Sequence, residues 1–110
     1  MEVYKTLLRQ KVPKSICTYL EEAVNLGCYT SCIRIRSGYF GTSVVKNVGK
    51  GIYSIYVYVA NNNDKIIASA DVWVFKEGTN DTFLDIPDCY KDHYCVKTLL
   101  KVVTGLEQLP

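Results

Sequence analysis

The chemically versatile residues of this chain are its one histidine, His93, and its five cysteines. They gather most densely in Cys89-Tyr90-Lys91-Asp92-His93-Tyr94-Cys95. Nucleophilic catalysis by a thiol needs a base beside it and a third group that orients the base. Cys89, His93 and Asp92 supply those types, and residues four apart on a helix are neighbours. Cys89 and His93, however, fall on or beside the apolar stripe that Val96 and Leu100 begin. A buried thiol and a core-edge histidine account for them more simply, so no catalytic set is expected. Zinc is a further option, with Cys28-x3-Cys32 as one half-site and Cys89-x3-His93-x-Cys95 as the other. Structural zinc favours tight cysteine knuckles in glycine-rich turns. The second half-site lies on helical sequence at spacings unlike a standard pair, so no metal and no cofactor is expected.

Five thiols cannot all pair within one chain. In an ordinary cytosol they stay reduced, and buried free thiols are the leading expectation. Cys17 is expected at the edge of a helix's buried stripe. The disulfide candidates are Cys28, Cys32, Cys89 and Cys95. A Cys28–Cys32 bridge requires a turn between them, because an extended chain separates such residues by roughly 13 Å, against the ~7 Å a disulfide allows.

Two surface constellations carry more functional weight. Tyr90, Tyr94, Lys97 and Lys101 are expected to project together from the last helix. With Arg34 and Arg36 of a nearby strand they form a candidate nucleic-acid surface, where cations hold phosphates and rings stack on bases. The same pattern also describes an ordinary solvated helix face. A formal charge of +2 is mild, and dedicated nucleic-acid binders are more basic. Gly49-Lys50-Gly51 is a hairpin turn, without the glycine-loop-to-helix arrangement that cradles phosphates. The second constellation is Tyr56, Tyr58, Ile67, Trp73 and Phe75, a cluster expected on one face of a hairpin. An exposed patch of several rings marks an interface.

The elements that must position these residues follow from periodicity. Ile52–Ala60 and Lys65–Phe75 are rich in β-branched and aromatic residues, and Asn61-Asn62-Asn63-Asp64 between them is made of turn formers. Setting Ala60 opposite Lys65 places Tyr53, Ile55, Val57 and Val59 on one face with Ile66, Ala68, Ala70 and Val72. The interface cluster then shares the other face with Ser54, Ser69 and Asp71. A sheet with one wet face should be polar at every second residue. This hairpin has apolar groups to cover on both sides.

Pro13 opens a helix over 13–26, with Ile16, Leu20, Ala23 and Val24 at helical spacing and Gly27 as its stop. Val3–Arg9 fits either a short helix or an edge strand. Tyr29–Arg36 alternates as a strand, residues 37–41 read as a turn, and Ser43–Val48 as a short strand. Thr82–Ile86 is a further strand after the loop 78–81. Asp88 is placed to cap a last helix over 88–104. The expectation is one α+β domain over 1–110: an antiparallel meander sheet of four to five strands, with an N-terminal and a C-terminal helix packed on one face.

A 48% hydrophobic and 22% charged composition suits a folded globule. The first residues lack the apolar core of a secretory signal, and no stretch approaches the ~18 apolar residues of a membrane span. The cytoplasm is therefore the expected compartment, and no membrane contact is expected. The helix–strands–helix order resembles small RNA-binding folds in topology alone, since the double-stranded-RNA signature residues are missing. The Tyr-, Val- and Cys-rich character is similar to that of small accessory proteins encoded by viruses or plasmids. The functional expectation is a non-enzymatic interaction protein that forms a homodimer and binds another macromolecule. The alternative is a nucleic-acid binder, and the third reading a small Cys/His enzyme.

Overall fold

The computed structural model describes residues 2–47, 52–75 and 80–109. The expected turn at Gly49-Lys50-Gly51 and the first half of the expected loop at 78–81 lie outside the described residues. Two helices lead the chain, α1 (Val3–Arg9) and α2 (Lys14–Leu26). Five strands follow: β1 (Cys28–Ile35), β2 (Gly38–Asn47), β3 (Ile52–Ala60), β4 (Ile66–Val74) and β5 (Asp81–Asp85). A 3-10 turn at Asp88–Tyr90 precedes α3 (Tyr94–Leu106). The strands form one antiparallel sheet in the order β1-β2-β3-β4-β5. The fold is α+β, a meander with helices against one face.

Alternation sorts the sheet into an inner and an outer face. Phe40 and Val44 of β2, Ile55, Val57 and Val59 of β3, and Ala68, Ala70, Val72 and Val74 of β4 all point inward and are buried. α2 lies over β1 and β2, and α3 over β2, β3 and β4. α2 contributes Ile16, Cys17, Leu20, Ala23 and Val24, and α3 contributes Val96, Leu99, Val102, Val103 and Leu106. Each large side chain removed from water in this way contributes about 1.5–3 kcal/mol. Phe40 is the largest of them, set edge-on to Tyr19 with ring centroids 6.3 Å apart. Gly27 ends α2 in the left-handed conformation (φ 74°), as its type and place suggest.

α1 is helical, which settles the ambiguity over Val3–Arg9. It packs mainly on α2 and α3, burying Val3, Thr6 and Leu7. The outer sheet face is therefore not covered by this segment.

The structure corrects four expectations. β2 begins at Gly38, so most of the expected turn is strand. The turn is only Arg36-Ser37, with Ser37 at φ 69°. Gly41 misled because it sits inside the strand: a Cβ there would lie 2.0 Å from the Tyr58 ring, which crosses it on the outer face. Second, Ala60 pairs with Ile66 and Val59 with Ala68, so the hairpin closes two residues later than expected along most of its length. The loop is held by the Asn61 carboxamide oxygen, which accepts from the backbone N–H of Asn63 and Lys65.

A bulge at this point sets one extra residue in β4. Ile67 turns into the core at 1% exposure while Ile66 is 54% exposed, which reverses their expected faces and removes Ile67 from the interface candidates. Third, the last helix starts at Tyr94 rather than Asp88. The preceding turn is 3-10, and the cap is His93, whose Nδ1 accepts from the Cys95 N–H at 3.1 Å. Fourth, Cys17 is fully buried and lies in the core rather than at its edge, its thiol donating to the Val12 carbonyl at 3.4 Å.

Candidate functional site

The outer face of the sheet is a set of rows, each crossing all five strands. One runs Cys28, Val45, Ser54, Trp73, Asp81. The next runs Thr30, Ser43, Tyr56, Asp71, Phe83, and the third Cys32, Gly41, Tyr58, Ser69, Asp85. Three interface candidates, Tyr56, Tyr58 and Trp73, meet here. Tyr56 and Tyr58 have ring centroids 5.8 Å apart. Burial pushes the Tyr58 hydroxyl pKa up, with Cys32 and Tyr56 adding to the effect. Phe75 lies just past β4, half-buried, its N–H bonded to the Asn80 side chain.

The reading from sequence missed Phe83 and Val45, which are 66% and 56% exposed beside Trp73 at 37%. Alternation in Asp81-Thr82-Phe83-Leu84-Asp85 was the available signal for Phe83, and the pairing of β2 with β3 was needed for Val45. Between the apolar side chains stand short polar ones: Thr30 and Ser43 share a hydrogen bond at 3.2 Å, and Ser54 donates to Asp71 at 3.2 Å. Acidic groups collect on the β4–β5 side, at Asp71, Asp81 and Asp85, whereas Arg34 stands on the β1 side.

A second feature is a cleft of about 330 Å³ at the open edge of β1. The first turn of α2 supplies Pro13, Ser15 and Ile16, the end of β1 supplies Arg34 and Ile35, and the turn after it supplies Arg36. The start of α3 closes it with Tyr94 and Thr98. The structure thus brings together three of the six nucleic-acid candidates. The Arg36 guanidinium lies 5.1 Å from the centre of the Tyr94 ring. That of Arg34 lies 5.0 Å over Tyr39 and donates to its hydroxyl at 3.0 Å. Lys97 and Lys101 are exposed on α3 beyond the cleft. Tyr90 is separate from them, outside the helix, with the Lys65 ammonium over its ring at 5.5 Å. The expected co-projection of Tyr90 with Tyr94 depended on a helix that begins later than predicted.

No family model, curated protein or solved structure matches this chain. Function must therefore be argued from the geometry.

The thiols divide by depth. Cys28, Cys32 and Cys89 are exposed, Cys17 and Cys95 buried, and all five are unpaired. Cys28 and Cys32 lie on one straight strand, without the turn that a bridge between them needs. The Cys95 thiol donates to the Arg36 carbonyl at 3.3 Å, and burial pushes its pKa up, away from the reactive thiolate. The ring nitrogen of His93 that faces the helix is engaged as its cap. Among the described residues no three His, Cys, Asp or Glu side chains group so as to hold a metal ion, and no helix is long and apolar enough to cross a membrane.

Proposed function

We propose that this chain is a non-catalytic interaction module that self-associates through the outer face of its sheet. One observation carries the reading: the helices pack on a single face, while the opposite face exposes Val45, Trp73 and Phe83 to solvent around the half-buried Tyr56 and Tyr58. Five strands about 4.8 Å apart and some seven residues long offer about 550 Å² per copy, so a symmetric pair buries about 1,100 Å², just above the ~1,000 Å² expected of a specific interface.

The pattern is also self-complementary. A two-fold axis parallel to the strands, through β3, lays each row on its own reverse. Tyr56 then meets Tyr56 of the second copy, Val45 meets Trp73, and Thr30 meets Phe83. The same operation sets the Arg34 side of one sheet over the acidic β5 side of the other. The sheet twist offsets the two layers by about 30° without breaking this order.

Light scattering at micromolar concentration is expected to give about twice 12.4 kDa. Trp73→Lys, at a site that is partly exposed and outside the core, is expected to give a folded monomer by circular dichroism and scattering. A wild-type monomer across that range, or a Trp73→Lys protein that remains dimeric, overturns the reading.

A further inference from the structure

We propose that the free edge of β1 is a second self-association site, where two copies pair β1 against β1, antiparallel about Thr30, and are locked by disulfides from Cys28 of each copy to Cys32 of the other. This edge is separate from the outer face and does not rest on the pairing proposed there. Among the described residues no strand lies beyond β1. An open edge offers unpaired N–H and C=O groups to any other strand, and folds ordinarily blunt it with shortness, charge, proline or a bulge. β5, at the opposite edge, has such devices: it is five residues long, with Asp81 and Asp85 at its ends and Pro87 soon after. β1 runs eight residues in unbroken register with β2, without proline and without charge before Arg34. The Lys46 N–H bonds the Gly27 carbonyl at 2.8 Å, which fixes the alternation of this ladder. The N–H and C=O groups of Cys28, Thr30 and Cys32 therefore point away from β2, toward the open side.

The occupant is a second copy because the edge matches itself. Cys28, Thr30 and Cys32 share the outer face, and both thiols are exposed. A two-fold axis through Thr30, perpendicular to the sheet, sets Cys28 opposite Cys32 of the second copy, Thr30 opposite Thr30, and Cys32 opposite Cys28. Hydrogen-bonded pairs of this kind stand about 5.5 Å apart at Cα, inside the roughly 4.4–6.8 Å that a disulfide spans. The same axis keeps both helical layers on one side. α2 lies over β1 and β2. Midway between them it is half a strand spacing from β1, which is itself half a spacing from the axis. The two copies of α2 then lie about 9.6 Å apart, a distance at which helices pack. Leu26 is 66% exposed and seven residues from Tyr19, which packs on Tyr29 of β1. Seven residues are close to two helical turns, so Leu26 sits on the flank of α2 that turns to the second copy.

Backbone pairing alone is weak, since a few hydrogen bonds exchanged with water gain little against the freedom lost on association. The disulfides supply the lock. With a small disulfide such as oxidised glutathione as oxidant, the Cys32 thiolate attacks it, forms a mixed disulfide and releases one glutathione thiol. The Cys28 thiolate of the second copy then attacks the Cys32 sulfur, forms the bridge and releases the other glutathione. Each bridge takes two protons and two electrons from protein thiols and reduces one small disulfide to two thiols. The edge axis and the outer-face axis through β3 do not meet, so use of both interfaces extends copies into an open chain.

The test uses the full chain carrying Trp73→Lys, which removes the outer face, at micromolar concentration with oxidised glutathione. The readouts are non-reducing electrophoresis and mass spectrometry of peptides from the unreduced protein. A covalent dimer of about twice 12.4 kDa is expected, joined Cys28 to Cys32 and returned to monomer by dithiothreitol. Adding Cys28→Ser or Cys32→Ser, both at exposed sites, is expected to cut its yield at least about tenfold. Adding Thr30→Pro keeps both thiols and removes an N–H only from the open edge, and is expected to cut the yield about as much. Oxidised wild type is expected to grow beyond two copies. If it stops at two while Trp73→Lys still bridges, the outer-face reading falls and the edge stands. The proposal is overturned if Trp73→Lys gives only glutathione adducts, or if the mapped bridges are Cys28–Cys28, Cys32–Cys32 or use Cys89. It is equally overturned if Thr30→Pro, folded by circular dichroism, bridges as well as its parent.

Discussion

Tyr19 presents a hydroxyl to the interior with no hydrogen-bond partner, between the edges of Tyr29 and Phe40. An unsatisfied buried hydroxyl costs about 1–3 kcal/mol. Desolvation is the main reason its pKa is pushed up to about 12, with the nearby Ser31 working against the shift and Tyr29, Cys32 and Tyr58 adding to it. The sign of the pH effect follows. The unfolded chain ionises this tyrosine near pH 10, while the fold holds it neutral. The contribution is therefore complete below about pH 10 and is lost as pH rises toward 12, by about 3 kcal/mol in all. Denaturant titrations from pH 8 to 11 are expected to show Tyr19→Phe equal to or about 1 kcal/mol more stable than wild type at pH 8, where the orphaned hydroxyl is gone. Its advantage should grow above pH 10. Parallel stability curves for the two proteins would contradict the assignment.

At the scale of elements, α1 and α3 approach each other closely at Gly105. A Cβ on Gly105 would lie 2.6 Å from Leu7 Cδ2, and Leu7 is fully buried. Alanine gains about 1 kcal/mol of helix propensity over glycine, whereas overpacking a filled core costs about 1–3 kcal/mol. The second term is expected to win, so Gly105→Ala should destabilise by about 1 kcal/mol. In a Leu7→Ala background the same change should become neutral or stabilising, a coupling that a double-mutant cycle reads directly.

Elements differ in how openly they declare themselves. β3 and β4 were readable because strict alternation of β-branched and aromatic residues has no helical counterpart. α2 was readable from its stripe and its glycine stop. The bulge was invisible, since Ile66-Ile67 offers two equivalent side chains and only pairing decides which one enters the core. Gly41 gave the wrong signal because glycine serves close packing as well as turns. Asp88 was a better cap by type than His93, yet Pro87 and the following turn hold it away from α3. For the cleft, the alternation of Arg34 and Arg36 against Ile33 and Ile35 was legible. Their meeting with Tyr94 and Ser15 was not, because it joins segments some twenty and sixty residues distant and depends on where α2 and α3 begin.

For the whole molecule, a symmetric pair built on the outer face ties stability to concentration. Dimerisation stabilises the fold by mass action. The thermal midpoint is therefore expected to rise with protein concentration in wild type and to be independent of it in Trp73→Lys. A flat wild-type series would remove the outer face as a source of stability. The order in which the elements are synthesised has its own consequence. α3, the last of them, covers the inner face of β2, β3 and β4. While a ribosome is still making the strands, the inward side of the nascent sheet has only half its roof. Ile55, Val57, Ala70 and Val72 stay open to water until residue 106 has emerged, and a chaperone that shields extended apolar segments would have its chief occasion to act in that interval.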